Sequence, residues 1–272
     1  MFCLIKCSRK KVLAAAAALL CLGGILTAVQ QTKAVSGPAY EDLYPDMYVN
    51  TGNEFAQEEG KVVYYTFDDG PSQNTIAILD TLKEKGVKAT FFVTGQEVSG
   101  VDSDAILKRI VDEGHSIGMH TYSHVYQQIY SSVENYLADF YKIRERIIQV
   151  TGVEPKIFRF PGGSVKNSFA SPAVQKAIRI EMRRRGYLYY DWNLVSGDDK
   201  SYMTDTNTLI RNIVNGAQGK DKVVILCHDD PMRVSTAEAV GPVIDQLTEQ
   251  GYRFEKLTES VEPIQFHNDD EA

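Results

Sequence analysis

Short apolar stretches alternate with helical ones from about residue 61 to residue 257, and this alternation limits the fold more than any other feature of the chain. Seven stretches read as strands: Val62–Phe67, Ala89–Thr94, Ser116–Met119, Ile157–Phe160, Tyr187–Trp192, Val223–His228 and Arg253–Leu257. The helical stretches carry their own punctuation. Thr75–Lys85 stops at Gly86, Asp104–Glu113 stops at Gly114, and a helix from Ser132 stops near Gly152. Ser131 with Glu134 has capping-box spacing, and Ser171-Pro172 is an N-cap followed by proline at the first helical position. Strands separated by helices pair in parallel, so the expected fold class is α/β, with about seven parallel strands closed or nearly closed into a barrel. One such domain can use most of a 272-residue chain.

The flanks read differently. The first 37 residues hold Lys6, Arg9, Lys10, Lys11 and Lys33 without an acid, and then an apolar run from Val12 to Val29. A basic cluster before an apolar run keeps the N-terminal side cytoplasmic and sends the remainder outward. No clean small-x-small cleavage site follows, which favours a membrane signal anchor over a cleaved signal peptide. The predicted location is therefore the outer face of the membrane, or secretion to the cell wall. Residues 38–60, with Pro38, Pro45, Gly52 and many acids, have no sustained period and read as a linker. Residues 61–262 are the expected folded domain, and 263–272 an acidic, loose tail.

The net charge is −7, and five positive charges in the first 37 residues leave −12 for the rest. A nucleic-acid reader needs a basic face, so that class of partner is excluded. Three of the four cysteines lie in the N-terminal segment, and Cys227 sits alone in an apolar run. Neither a disulfide scaffold nor a thiol enzyme follows.

In a (β/α) barrel the chemistry belongs at the C-terminal ends of the strands. The reactive side chains fall there. Thr66-Phe67-Asp68-Asp69-Gly70-Pro71 closes the first strand, and His120-Thr121-Tyr122-Ser123-His124 follows the third. Arg159-Phe160-Pro161-Gly162-Gly163 closes the fourth, Asp198 lies after the fifth, and Leu226-Cys227-His228 closes the sixth. Asp-Asp-Gly alone is an ordinary turn, a lone His-x-x-x-His need bind nothing, and a lone Arg is usually a structural ion-pair former. Their joint placement carries the argument.

Two adjacent carboxylates share a pocket only where a strand gives way to a turn, and they repel unless a cation lies beside them. His120 and His124, spaced i, i+4, fall on one face if the backbone turns helically. Two His and one Asp with an open position is the layout of catalytic zinc, which lowers the pKa of water to roughly 7, and the second Asp is then free to act as general base.

The ordered blocks Thr-Phe-Asp-Asp-Gly, His-Thr-x-x-His, Arg-x-Pro-x-Gly, a later Asp and Leu-x-His resemble the polysaccharide deacetylase family, the NodB-homology carbohydrate esterases, over about residues 60–260. The resemblance implies a distorted (β/α) barrel that removes acetyl groups from N-acetylated sugars with one divalent metal, usually zinc, with Co2+, Ni2+ or Mn2+ as substitutes. It implies that Asp68 is the general base and that Asp69, His120 and His124 are the metal ligands. His228 becomes the general acid, Arg159 orients Asp68, Asp198 tunes the catalytic groups, Leu226 lines the acetyl pocket, and the backbone N–H of Gly162 faces the oxyanion. This chain departs from the family twice: Gly162 stands where many members have an aromatic residue, and Asp199 where many have Trp. Trp192, the only tryptophan, reads as strand packing rather than a replacement wall.

The leading expectation is N-deacetylation of peptidoglycan N-acetylglucosamine. Chitin-type oligosaccharide, exopolysaccharide and a non-catalytic glycan-binding role on the same fold are the alternatives. Two His and a carboxylate also describe non-haem Fe(II) oxygenases, but those need no second Asp, Arg and His around the metal, and the strand-helix alternation does not suggest a double-stranded β-helix.

Overall fold

The structure, a computed structural model, describes residues 39–267 apart from Asn53, Glu97, Lys166 and Asn167. The N-terminal basic and apolar segment lies outside these residues. Among the described residues no helix is long and apolar enough to cross a membrane.

Among the described residues there are eight strands: β1 Val62–Asp68, β2 Thr90–Val93, β3 Ser116–Met119, β4 Ile157–Phe158, β5 Leu188–Tyr189, β6 Leu194–Val195, β7 Lys222–His228 and β8 Arg253–Glu255. All pair in parallel, seven of them in the order β5-β4-β3-β2-β1-β7-β6. The path does not close, because β5 and β6 stand at its two ends. The result is the open, distorted (β/α) barrel expected of the family, not a double-stranded β-helix. The short β8 pairs with the first half of β1 (Val62↔Arg253), while β2 pairs with its second half (Thr66↔Thr90). Every residue of β1 is buried, as a central parallel strand covered on both faces requires.

The α-helices, among the described residues, are α1 Gln73–Lys85, α2 Ser103–Asp112, α3 Tyr126–Ile129, α4 Val133–Thr151, α5 Pro172–Arg184, α6 Thr206–Ala217 and α7 Val234–Glu249. Helix α1 starts on a capping box between Ser72 and Thr75 and ends at Gly86 in the left-handed conformation. Helix α4 is capped by Ser132, whose extended backbone lets its hydroxyl accept from Asn135 N at 3.2 Å. The capping-box residue read from the sequence, Ser131, is one position early; its hydroxyl instead donates to Gln128 O at 2.6 Å. Ser171 and Pro172 start α5 as predicted.

Residues from Asp42 onward gather into one compact unit, so the stretch expected to be a free linker is in fact part of it from that point. Arg185, fully buried at the C-cap of α5, donates to Tyr44 O at 3.0 Å and Leu43 O at 2.8 Å. Val49 N donates to Arg185 O at 2.9 Å, Thr51 Oγ1 donates to Gly186 O at 2.7 Å, and Met47 is completely buried. The segment shows no period because backbone contacts, rather than a regular element, hold it. At the other end the chain stays bonded as far as His267: Phe266 N donates to Asp191 Oδ2 at 2.7 Å, and Asp191 N to Ile264 O at 2.8 Å. The loose tail expected from 263 therefore does not begin there.

Candidate active site

Strand pairing sets the geometry. In the β1–β7 register Asp68 lies opposite His228, and Thr66 opposite Leu226. The last residue of β1 is thus next to the last of β7 although 160 positions separate them in the sequence. His120 N continues the β2–β3 ladder to Val93 O at 2.9 Å, and Arg159 N continues β3–β4 to Met119 O at 3.0 Å. The strand ends therefore bring Asp68, Asp69, His120, Arg159 and His228 to one rim.

Asp69 stands at φ 77°, an uncommon conformation for a residue with a side chain. This turn is what lets two consecutive carboxylates serve one pocket, since on a continuing strand they would point to opposite faces. Asp69 Oδ1 lies 3.5 Å from His120 Nε2 and 3.2 Å from His124 Nε2, and the three ligand atoms fall within 4.8 Å of one another. Asp69 Oδ1 and His124 Nε2 are buried without a hydrogen-bond partner, a costly state for polar atoms unless a cation is shared between them. His120 Nδ1 is 2.9 Å from Arg159 O. A carbonyl only accepts, so Nδ1 carries the proton and Nε2 keeps its lone pair for the ion, the usual outer-shell arrangement of a ligating histidine. Burial pushes His120 down to about 3 against the opposing pull of Asp69, so it stays neutral. The donor set fits a divalent metal.

The i, i+4 histidines do not meet through a helical turn. Thr121 has φ 91° and His124 φ 54°, and the convergence comes from an irregular loop instead.

Asp68 is 2% exposed. Arg159, with no exposed surface, donates from Nη1 to Asp68 Oδ1 at 2.8 Å. Burial raises the Asp68 carboxyl above its ordinary range, and the charges of Arg159 and His228 oppose the rise. The Arg159 fork does not grip both carboxylate oxygens. It spreads over Thr66 Oγ1 at 2.6 Å, Tyr190 O at 2.9 Å and Asp191 O at 3.3 Å, with its guanidinium 4.4 Å above the Phe92 ring and 5.6 Å from that of Trp192. Asp68 Oδ2 is left facing His120 Nε2 at 3.8 Å. Trp192 packs against Arg159 and Phe266, the role read from the sequence.

Asp198 accepts from His228 twice, at 2.9 Å from Nδ1 and 2.8 Å from the backbone N, and from Thr236 Oγ1 at 2.9 Å. Burial works against the Asp198 charge, but the His228 bonds outweigh it and hold the carboxyl below its ordinary range. Burial likewise opposes the charge on His228, yet the Asp198 bond and charge, helped by Asp69 and Asp68, raise it to about 9. Leu226 is 6% exposed, one residue from the Cys227 thiol, which is fully buried. Asp199, in the position of the family's tryptophan, is exposed.

Gly162 has φ 78°, and a Cβ built there would come within 3.3 Å of the Tyr126 ring. The space that an aromatic residue at 162 would enter is thus bordered by Tyr126, whose ring also stands edge-on to His124 at 5.3 Å. Sequence reasoning missed three acids behind the site. Asp229 packs on Gly70, accepting from Thr75 Oγ1 at 2.5 Å, and burial raises it to about 7. Its position directly after His228 was the signal available. Asp191 holds Ser164, accepting at 2.8 Å from its N and at 2.5 Å from its Oγ, beside the Gly162-Gly163 turn. Asp139 accepts from the loop between the two histidines, and nothing local in the sequence marks it.

Known proteins resemble this chain in sequence and fold. The family model for polysaccharide deacetylase matches residues 56–180. A peptidoglycan-N-acetylglucosamine deacetylase of Bacillus cereus is 31% identical over 247 residues, covering 89% of this chain and 86% of that protein. A putative polysaccharide deacetylase of Bacillus subtilis is 30% identical, covering 81% of this chain and 75% of its own length. The crystal structure of the catalytic domain of peptidoglycan N-acetylglucosamine deacetylase from Eubacterium rectale superposes with a TM-score of 0.74 at 33% identity, covering 80% of this chain and 97% of that one. With sequence and fold in agreement, the chain belongs to the polysaccharide deacetylase family of NodB type, a family of hydrolytic enzymes.

Proposed function

We propose that this chain is a metal-dependent hydrolase that removes the acetyl group from N-acetylglucosamine residues of peptidoglycan and releases acetate. The observation that carries the reading is the pairing of Asp68 with His228 across β1 and β7, beside the cluster of Asp69, His120 and His124. The relatives named as peptidoglycan deacetylases support the choice of polymer.

A divalent ion held by Asp69, His120 and His124, zinc by its nitrogen and oxygen ligands, supplies a Lewis acid for the amide carbonyl and makes water acidic enough to deprotonate near neutral pH. The remaining work falls to the chain. Asp68 Oδ2 takes the proton from the attacking water, because Oδ1 is occupied by Arg159. Burial of Asp68 makes it a stronger base than a solvated carboxylate. An amine leaves poorly until protonated, so an acid must face the base. His228 donates from Nε2, its Nδ1–H being fixed on Asp198. The Gly162 N–H serves the developing oxyanion, and Leu226 borders the acetyl methyl. Asp199 is exposed and supplies no indole wall from that position.

We place the reaction outside the cytoplasm, where its polymer lies. The basic and apolar N-terminal segment supports this as an export signal or anchor.

The test is acetate release from purified glycan strands, with products analysed by mass spectrometry for loss of 42 Da, roughly one acetyl exchanged for hydrogen, on glucosamine rather than muramic acid. Activity should vanish with a chelator and return with zinc. Full activity of Asp69→Ala, or turnover in the chelated protein, would refute the metal-dependent reading.

A further inference from the structure

The two histidine ligands flank three residues, and the backbone there follows no regular element. Thr121 at φ 91° and His124 at φ 54° are in the left-handed region. For a β-branched residue such as Thr this is strained. Strain of this kind persists only where neighbouring groups hold it.

The loop's backbone bonds identify the holders. His120 N donates to Val93 O at 2.9 Å, Gly95 N donates to Tyr122 O at 2.9 Å, and Gln96 Nε2 donates to Ser123 O at 3.1 Å. The two central N–H groups both go to one carboxylate. Tyr122 N donates to Asp139 Oδ1 at 2.6 Å, and Ser123 N to Oδ1 and Oδ2 at 3.2 and 3.1 Å. Among these holders Asp139 is the one charged side chain, and bonds to an ionised acceptor are the strong class. It comes from α4, a 19-residue helix whose Tyr136, Phe140 and Ile143 are buried without exposed surface, so its anchor is rigid.

We propose that Asp139 is a positioning residue for the metal centre: by clamping the amides of Tyr122 and Ser123 it fixes the spacing of His120 and His124. The inference rests on the reading of those two histidines, with Asp69, as metal ligands. Asp139 touches neither substrate nor reacting atoms and acts through the loop. The clamp keeps the site assembled before an ion arrives, so its loss appears first in metal affinity.

The experiment uses the full chain stripped of metal. Zinc affinity is measured by competition with a chromophoric chelator, and site geometry by the visible absorption of the Co2+ form. Outer-shell partners of ligating residues are typically worth about 10–100-fold in affinity, and Asp139→Ala should lose that much zinc affinity with an altered Co2+ spectrum. Asp139→Asn keeps one acceptor for Tyr122 N but turns an NH2 toward Ser123 N–H, and should fall between. Thermal unfolding of the metal-free Asn variant should stay within a few degrees of the parent, which separates clamping from general stability. A folded variant with parental zinc affinity and Co2+ spectrum overturns the proposal, as does an affinity loss fully matched by metal-free unfolding. If the parent chain binds and the variants match it, this inference alone fails; if the parent binds no zinc or cobalt, the metal reading falls and takes it along.

Discussion

Replacing Asp198 by Asn removes a charge while keeping the shape of the group that holds His228. In the parent the imidazole is raised to about 9 by its bond to Asp198 and by the nearby acids, against burial. Asn retains an acceptor for Nδ1–H but no charge, and its NH2 faces the His228 backbone N–H that Asp198 Oδ2 accepts at 2.8 Å. With the main stabilising charge gone and burial unchanged, the midpoint should drop to about 6.5 or below, the ordinary histidine value. The sign follows: a raised pKa keeps the general acid protonated up to the raised value, and the variant loses it earlier as pH increases. In the metal-free protein, with a variant midpoint of about 6.5, the protonated fraction falls from about 0.9 to about 0.03 at pH 8 and by less than about twofold at pH 6, so kcat/KM of the loaded enzyme should fall on the order of tenfold or more at pH 8 and much less at low pH. A bound cation offsets the charges of Asp68 and Asp69 but not that of Asp198, so the kinetic limb of the loaded enzyme lies below 9 and still moves with the substitution. The assay pairs NMR titration of the His228 ring in the metal-free protein with the pH profile of acetate release. A ring midpoint that does not move, or a pH-independent loss of rate, would show that Asp198 only packs against His228.

Two further predictions concern support of the site. Arg159→Lys offers one ammonium to partners lying in different directions, Tyr190 O, Thr66 Oγ1 and Asp68 Oδ1; leaving even one or two of these buried acceptors unpaired should cost about 2–4 kcal/mol in denaturant unfolding and lower kcat about 100-fold, whereas parental stability would sink the account of Arg159 as a hub. A chain beginning at Lys61 loses the buried Met47 and both backbone acceptors of Arg185, and should be less stable than one beginning at Asp42 by at least about 2 kcal/mol, or roughly 4–8 °C in Tm; equal melting temperatures would mean the segment lies on the surface without stabilising it.

Much of the site was legible because strand alternation and turn chemistry are local. Gly70-Pro71 after Asp69, the His-x-x-x-His after β3 and Arg159 at the end of β4 could each be placed at a strand end from neighbouring residues alone. Two-residue strands such as β6 carry too little pattern to be read, and the docked segment from Asp42 to Thr51 has none, since buried Arg185 holds much of it by its backbone.

The sequence by itself determined the class of fold, the rim on which the chemistry sits and the residue types that gather there, because period, caps and turns depend on residues a few positions apart. Only the tertiary structure decided that Asp68 faces His228 across β1 and β7, that Arg159 serves a carboxylate, a hydroxyl and two carbonyls at once, and that Asp139 holds the histidine loop. Those relations join residues that are 16 to 160 positions apart, and strand register and helix packing, which no local pattern encodes, bring them within bonding distance.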